Sequence, residues 1–180
     1  YMTTGTVTTF TISAEKVPAP VATHLKVEGI TDPIKAGESS KVIISALDSS
    51  NNVVTDYTGT ITFTSDCSNA TLPGNYTFKT SDSGAHTFPD SVMFYTVGTC
   101  SVTATDVTHP SITGTQSDID VVAGQQTGTI TASGHDGQIG DDVAITSSVV
   151  KDAYGNVVKD VAVTFYIVRP DGRVITLTAS

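Results

Sequence analysis

Asp48-Ser49-Ser50-Asn51-Asn52-Val53-Val54-Thr55-Asp56 returns later in the chain as Asp152-Ala153-Tyr154-Gly155-Asn156-Val157-Val158-Lys159-Asp160. Both read D-x-x-x-N-V-V-x-D. The first runs into Thr60-Ile61-Thr62-Phe63 and the second into Val163-Thr164-Phe165, each an alternating pattern of the kind a half-buried strand shows. The offset is 152 − 48 = 104 residues. Recurrence at that distance predicts one domain type used more than once. Asx side chains that bond their own backbone make both stretches turns between strands.

Working outward from the first turn, the strands before it are Leu25–Val27 and Lys41–Leu47, with Val42, Ile44 and Ala46 on one face. After it come Thr58–Ser65, with Ile61 and Phe63 inward, and a short strand at Tyr76–Lys79. Then follow His86–Phe88 and Val92–Tyr95, which Pro89 is expected to separate. Thr99–Thr105 and Ile112–Val122 close the unit, Val102 and Ala104 pointing inward. Seven or eight short strands with turn signals about every 8–12 residues predict an immunoglobulin-like β-sandwich over 21–123. Thr, Val and Ile dominate, as suits pleated surfaces, and no window holds a 3.6-residue apolar period. The fold class expected is therefore all-β, tandem immunoglobulin-like sandwiches with little or no helix.

The second turn belongs to a second such unit, 124–180, with strands expected at Thr129–Ser133, Asp142–Val150, Val161–Val168 and Val174–Leu177. Ser180 corresponds to position 180 − 104 = 76, so this unit reads as the first half of a domain. At the other end, Thr4–Ser13 carries Phe10 and Ile12 where Thr113–Val122 carries Ile119 and Val121, an offset of 113 − 4 = 109. Residues 1–20 thus read as the last strand of a preceding or partner domain plus a Lys16–Pro20 linker that contains two prolines. Two explanations are open. The sequence is a window on a longer repeat protein, or another chain supplies the missing strands by strand donation. On either, Phe10, Ile12, Val143, Ile145, Val163 and Phe165 need protein cover.

From Leu25 to Val122 the chain resembles the bacterial immunoglobulin-like repeats of large secreted and surface proteins. The matching residues are Ala46-Leu47-Asp48, Tyr57-Thr58-Gly59-Thr60 with Phe63-Thr64-Ser65, Ala70-Thr71-Leu72-Pro73 with Tyr76-Thr77-Phe78, His86-Thr87-Phe88, and Gly98-Thr99 with Ser101-Val102-Thr103-Ala104-Thr105-Asp106. The second unit, through Gly140-Asp141-Asp142 and Asp152-Ala153-Tyr154-Gly155-Asn156, is similar to invasin- and intimin-type repeats over its first half. The resemblance implies stalk-like tandem modules outside the cell and no catalytic residues. Cys67 and Cys100 depart from it, because a polar residue is usual at each place.

Those two are the only cysteines in the chain. An even pair on neighbouring strands of an exported domain points to a disulfide, with two buried free thiols as the alternative. Two thiols are too few for a structural zinc site. Asn69-Ala70-Thr71 and Asn75-Tyr76-Thr77 are glycosylation sequons in one loop region, a triplet that a Thr-rich chain also produces by chance. His135-Asp136 and Asp141-Asp142 offer some calcium-type oxygens but no Asp-x-Asp-x-Asp-Gly series, and read as solvated turn residues. Lys26, between inward Leu25 and Val27, should face water and so form no internal isopeptide bond.

Charge narrows the function. Nine Lys and Arg against 18 acids give −9 over 180 residues. Nucleic acid wants clustered cations and is not an expected partner. No apolar run approaches a membrane span. His24, His86, His109 and His135 are scattered with no nucleophile motif, and Glu15, Glu28 and Glu38 are the only glutamates, so no enzyme activity, cofactor or metal is expected. The expected function is a non-catalytic extracellular or cell-surface structural protein whose modules form a stalk, surface layer or fibre. Its partners are neighbouring immunoglobulin-like domains or identical subunits. The alternative is an adhesin or glycan-binding module using loops at the sandwich end against a glycan or host surface. With no Trp in the chain, Tyr57, Tyr76 and Tyr154 are the aromatic candidates for that platform.

Overall fold

The computed structural model describes residues 19–127, 132–133, 146–147, 149–159, 161, 163–168 and 172–179. Eight strands between His24 and Val122 form two sheets. The first sheet, in the order β1-β3-β6, holds His24–Glu28, Ser39–Leu47 and Ala85–Met93. The second, in the order β2-β8-β7-β4-β5, holds Ile34–Lys35, Thr113–Val122, Gly98–Asp106, Thr60–Ser65 and Tyr76–Thr77. All pairings are antiparallel except β2 with β8.

Alternation dictates which side chains meet between the sheets. Leu25 and Val27 of β1 face Ala46 and Ile44 of β3 in register, and all four are buried. Ile61 and Phe63 of β4, Val102 and Ala104 of β7, and Ile119 and Val121 of β8 line the opposing sheet. Phe63 meets Phe88 edge-on, ring centroids 5.2 Å apart. The whole apolar cluster falls between Ala22 and Val121. The inward residues expected on the third and penultimate strands are thus where the pattern puts them, and helix among the described residues is limited to one 3-10 turn at Thr80–Asp82.

Two departures have local causes. Pro89 does not split its strand. β6 runs through it because residues 89–91 form a bulge opposite Lys41, between the Ser40–Val92 and Val42–Phe88 pairs. A residue without an N–H is tolerated where the ladder needs no donor. Secondly, a strand that the sequence pattern does not show, the two-residue β2, lies between Asp32-Pro33 and Ala36-Gly37 and pairs with Val121 and Val122. Ile30 joins the same edge without ladder bonds: its N–H donates to Gln116 Oε1 at 3.1 Å and its carbonyl accepts from Gln116 Nε2 at 3.0 Å. A side-chain amide here does the work of a backbone peptide.

Beyond Ala123, short paired segments are described: β9 Ala132–Ser133 with β10 Thr146–Ser147, and the hairpin of β11 Val163–Val168 with β12 Val174–Ala179. Phe10, Ile12, Val143 and Ile145 lie outside the described residues, as do His135, Asp136, Asp141 and Asp142.

Candidate functional site

The two repeated stretches fold into one hydrogen-bond pattern. Asp48 N–H donates to Asn52 O at 2.9 Å, and Asp152 N–H donates to Asn156 O at 2.9 Å. Asp48 Oδ1 accepts the N–H groups of Ser50 and Asn52, and Asp152 Oδ1 those of Tyr154 and Asn156, all at 2.9 Å. The fourth residue of each turn is left-handed, Asn51 at φ 64° and Gly155 at φ 86°. The bonds flanking the turns match as well: Thr23 N–H to Leu47 O beside Thr127 N–H to Lys151 O, and Val54 N–H to Ala46 O beside Val158 N–H to Val150 O. Every pair is offset by 104. An Asp at the first position and an Asn at the fifth are what this loop consumes.

The surroundings differ. The second turn sits on one end of the sandwich. Asn156 Nδ2 donates to Tyr95 O at 2.8 Å, and Val97 N–H donates to Asn156 Oδ1 at 3.2 Å. Asp152 Oδ2 accepts from Gly124 N–H at 2.9 Å. The Tyr154 ring lies 5.1 Å from that of Tyr95 and covers Gly37, where any side chain would collide with it. Gly37 also has φ 81°, so a Cβ is excluded twice. Asp152 is buried as a result, while Asp48 is only half-buried and Asn52 is exposed. Burial opposes ionisation of Asp152, but bonds from Asn156, Gly124 and Tyr154 outweigh it and hold the carboxyl below the ordinary aspartate value.

Cys67 and Cys100 form a disulfide with Cα atoms 5.5 Å apart. Ser65 pairs with Val102 in the β4–β7 ladder, so two residues further on Cys67 stands directly opposite Cys100. The bridge therefore ties neighbouring strands of one sheet. Side chains prolong the ladder past its last backbone pair: Ser65 Oγ donates to Ser101 O at 2.7 Å, and Ser101 N–H donates to Asp66 Oδ1 at 2.7 Å.

A buried polar pair escaped the sequence reading. Asp106, 1% exposed, accepts the hydroxyl of Tyr57 at 2.5 Å and the N–H groups of Thr108 and His109 at 2.7 and 2.8 Å. Burial opposes the Asp106 charge, yet these three donors hold its carboxyl below the usual range. Burial, then the bond to Asp106, pushes the Tyr57 hydroxyl well above its ordinary value. Gly59 has no side chain because one would collide with Tyr57 and Asp106. Tyr57 is accordingly a core residue and leaves the set of platform aromatics. Tyr76 is half-buried, stacked on His86 at 4.0 Å and bonded to Asp82 at 2.9 Å. Tyr154, 47% exposed, is engaged at the sandwich end. Lys26 is exposed and pairs with Glu28 at 2.8 Å.

Asn69 and Asn75 are both exposed on the segment between β4 and β5. His24, His86 and His109 do not converge. Among the described residues, no three His, Cys, Asp or Glu gather as a metal site, and no helix is long and apolar enough to cross a membrane.

No protein-family model matches this chain, and no curated protein matches it. Among solved structures it is similar to FdeC, described as a broadly conserved Escherichia coli adhesin, at 19% identity and a TM-score of 0.50. The match covers 89% of this chain and 56% of that one, so the chain spans little more than half of the solved FdeC chain. At that identity the likeness carries the fold, an immunoglobulin-like all-β architecture. It does not single out invasin- or intimin-type repeats.

Proposed function

We propose that the chain is a non-catalytic structural segment of a bacterial surface or extracellular protein, built from tandem immunoglobulin-like modules that hold one another at a fixed joint. The observation that carries this reading is the seated turn. Asn156 exchanges two hydrogen bonds with the Tyr95–Val97 backbone, and Tyr154 packs over Gly37. A flexible tether would have no use for such contacts. The turn within the second unit thus doubles as a bracket on the first, and repetition of the device would give a semi-rigid stalk, layer or fibre. The disulfide suits an oxidising, extracellular setting.

The joint is tested with Asn156→Ala combined with Tyr154→Ala in the full chain. Losing the amide's bonds should weaken the contact by about 1–3 kcal/mol. In 15N relaxation measurements the sandwich should tumble faster in the variant than in the native chain. Native units that already tumble independently would overturn the reading. Acid should act likewise. A depressed Asp152 pKa means its contribution is present above the unfolded value of about 3.9 and lost as pH falls through the folded value. The joint should loosen below about pH 4.

A second reading, an adhesin that grips a glycan or host surface with sandwich-end loops, draws on the likeness to FdeC. Binding of the full chain to glycans or host cells, abolished by substitutions in those loops, would favour it over a pure spacer.

A further inference from the structure

If modules stack as proposed above, the turn Asp48–Asp56 needs its own seat. It has the same internal bonds as the seated turn, and its Asn52 occupies the place of Asn156. Yet Asn52 Nδ2 donates only within the turn, to Asp48 Oδ2 at 3.2 Å, with a longer contact to Oδ1, and the residue is exposed. Two residues on, at Val54, begins an open groove of about 470 Å³, floored by the buried Val54 and Tyr57 and rimmed by the exposed Pro20 and Val21. Val21 is 73% exposed there. At the other end of the sandwich, Val157 and Val158 line a cleft with Val97 and Val122. Val158 is the counterpart of Val54 at the 104-residue offset. Asn156 and Gly124 are thus half-buried around one copy of the turn, while their counterparts Asn52 and Pro20 are exposed around the other.

We propose that this end of the sandwich, Asn52 with the groove rimmed by Pro20 and Val21, is a docking surface for the Tyr95–Val97 end of another module of this fold. The occupant is specified by the seated turn: a backbone carbonyl and N–H placed as at Tyr95 and Val97, beside a side-chain-free position such as Gly37. Two differences shape the contact. Ser50 stands where Tyr154 covers Gly37, so no ring is buried. Pro20 stands where Gly124 donates to Asp152, so that bond has no counterpart. Asn52 and the apolar groove carry the docking.

The isolated stretch 19–123 tests this. It contains the whole apolar cluster, both sheets and the disulfide, and so closes its own core. With the second turn gone, its Tyr95–Val97 end is free to receive the Asn52 end of a second copy, a head-to-tail contact. Modules on a short linker see one another at millimolar effective concentration, so docking that matters in a chain must appear in that range. In 15N spectra recorded up to a few millimolar, amides of 48–56 and of 95–98 should shift together as concentration rises. Asn52→Ala should weaken the association about fivefold or more. In the full chain, whose Tyr95–Val97 backbone is occupied, the 95–98 shifts should be absent. Unchanged 48–56 amides in folded 19–123, shifts on another face, or indifference to Asn52→Ala would each overturn the proposal. The joint at Asn156 is measured separately, so its presence without self-association would refute this docking alone.

Discussion

Replacing Cys67 and Cys100 by serine is expected to destabilise the sandwich by about 3–4 kcal/mol. The bridge closes a loop of 33 residues, and the chain-entropy model assigns that much to freeing it in the unfolded state. For a unit of this size the thermal midpoint should fall by more than about 10 °C. The position makes the bridge an entropic staple. Cys67 and Cys100 are already opposite one another in the β4–β7 register, and Ser65, Asp66 and Ser101 hold that stretch of ladder by other bonds. The serine variant should therefore keep the native strand pairing, read by amide exchange, while losing stability in denaturant. Loss of the β4–β7 pairing itself would show that the bridge shapes the sheet.

Asp106→Ala is expected to cost about 2–4 kcal/mol, because it leaves the buried Tyr57 hydroxyl without its acceptor and removes the partner of the Thr108 and His109 N–H groups. Tyr57→Phe should cost less, about 1–2 kcal/mol, since Asp106 keeps both backbone donors. The pair also predicts a pH signature with a definite sign. The Tyr57 pKa is raised in the folded protein. Its contribution is fully present below the unfolded value of about 10 and drains away as pH climbs toward the folded value. Denaturation midpoints should decline above about pH 10 in the native chain and decline less in Tyr57→Phe. The Asp106 pKa is depressed, so acid removes its contribution below about pH 4. Equal alkaline slopes for the native chain and Tyr57→Phe would remove Tyr57 as the cause.

The parts of this fold legible in sequence are those written locally. Ile61 and Phe63, or Val102 and Ala104, declare their facing by alternation alone. The repeated turn declares itself by its Asp and Asn, whose bonds span four residues. What stayed hidden is carried by partners distant in sequence. Nothing local marks Asp106, because Tyr57 is 49 residues away. Asn156 looked like a turn residue and no more, because Tyr95 is 61 residues away. Pro89 was read by the rule for regular ladders, and a bulge suspends that rule. The two-residue β2 has no pattern to show, since its pairing is fixed by β8. One signal was available for the buried pair: Gly59 follows Tyr57 closely, and a glycine beside an aromatic marks a place where something approaches the backbone.

The parallel track along β8 bears on how such a module answers to pulling. Ile30 meets Gln116, Asp32 meets Asp120, Ile34 meets Val121 and Ala36 meets Val122, all running the same way. Tension applied at the two ends of the sandwich draws 30–36 toward its N-terminal side and β8 toward its C-terminal side. The two tracks are then dragged past each other along their length, and the bonds between them share the load. Antiparallel neighbours pulled from one end would instead unzip a bond at a time. A short strand that adds little to equilibrium stability thus becomes the mechanical clamp of the unit, and the force at which the module ruptures should depend on Gln116 more than its modest burial suggests.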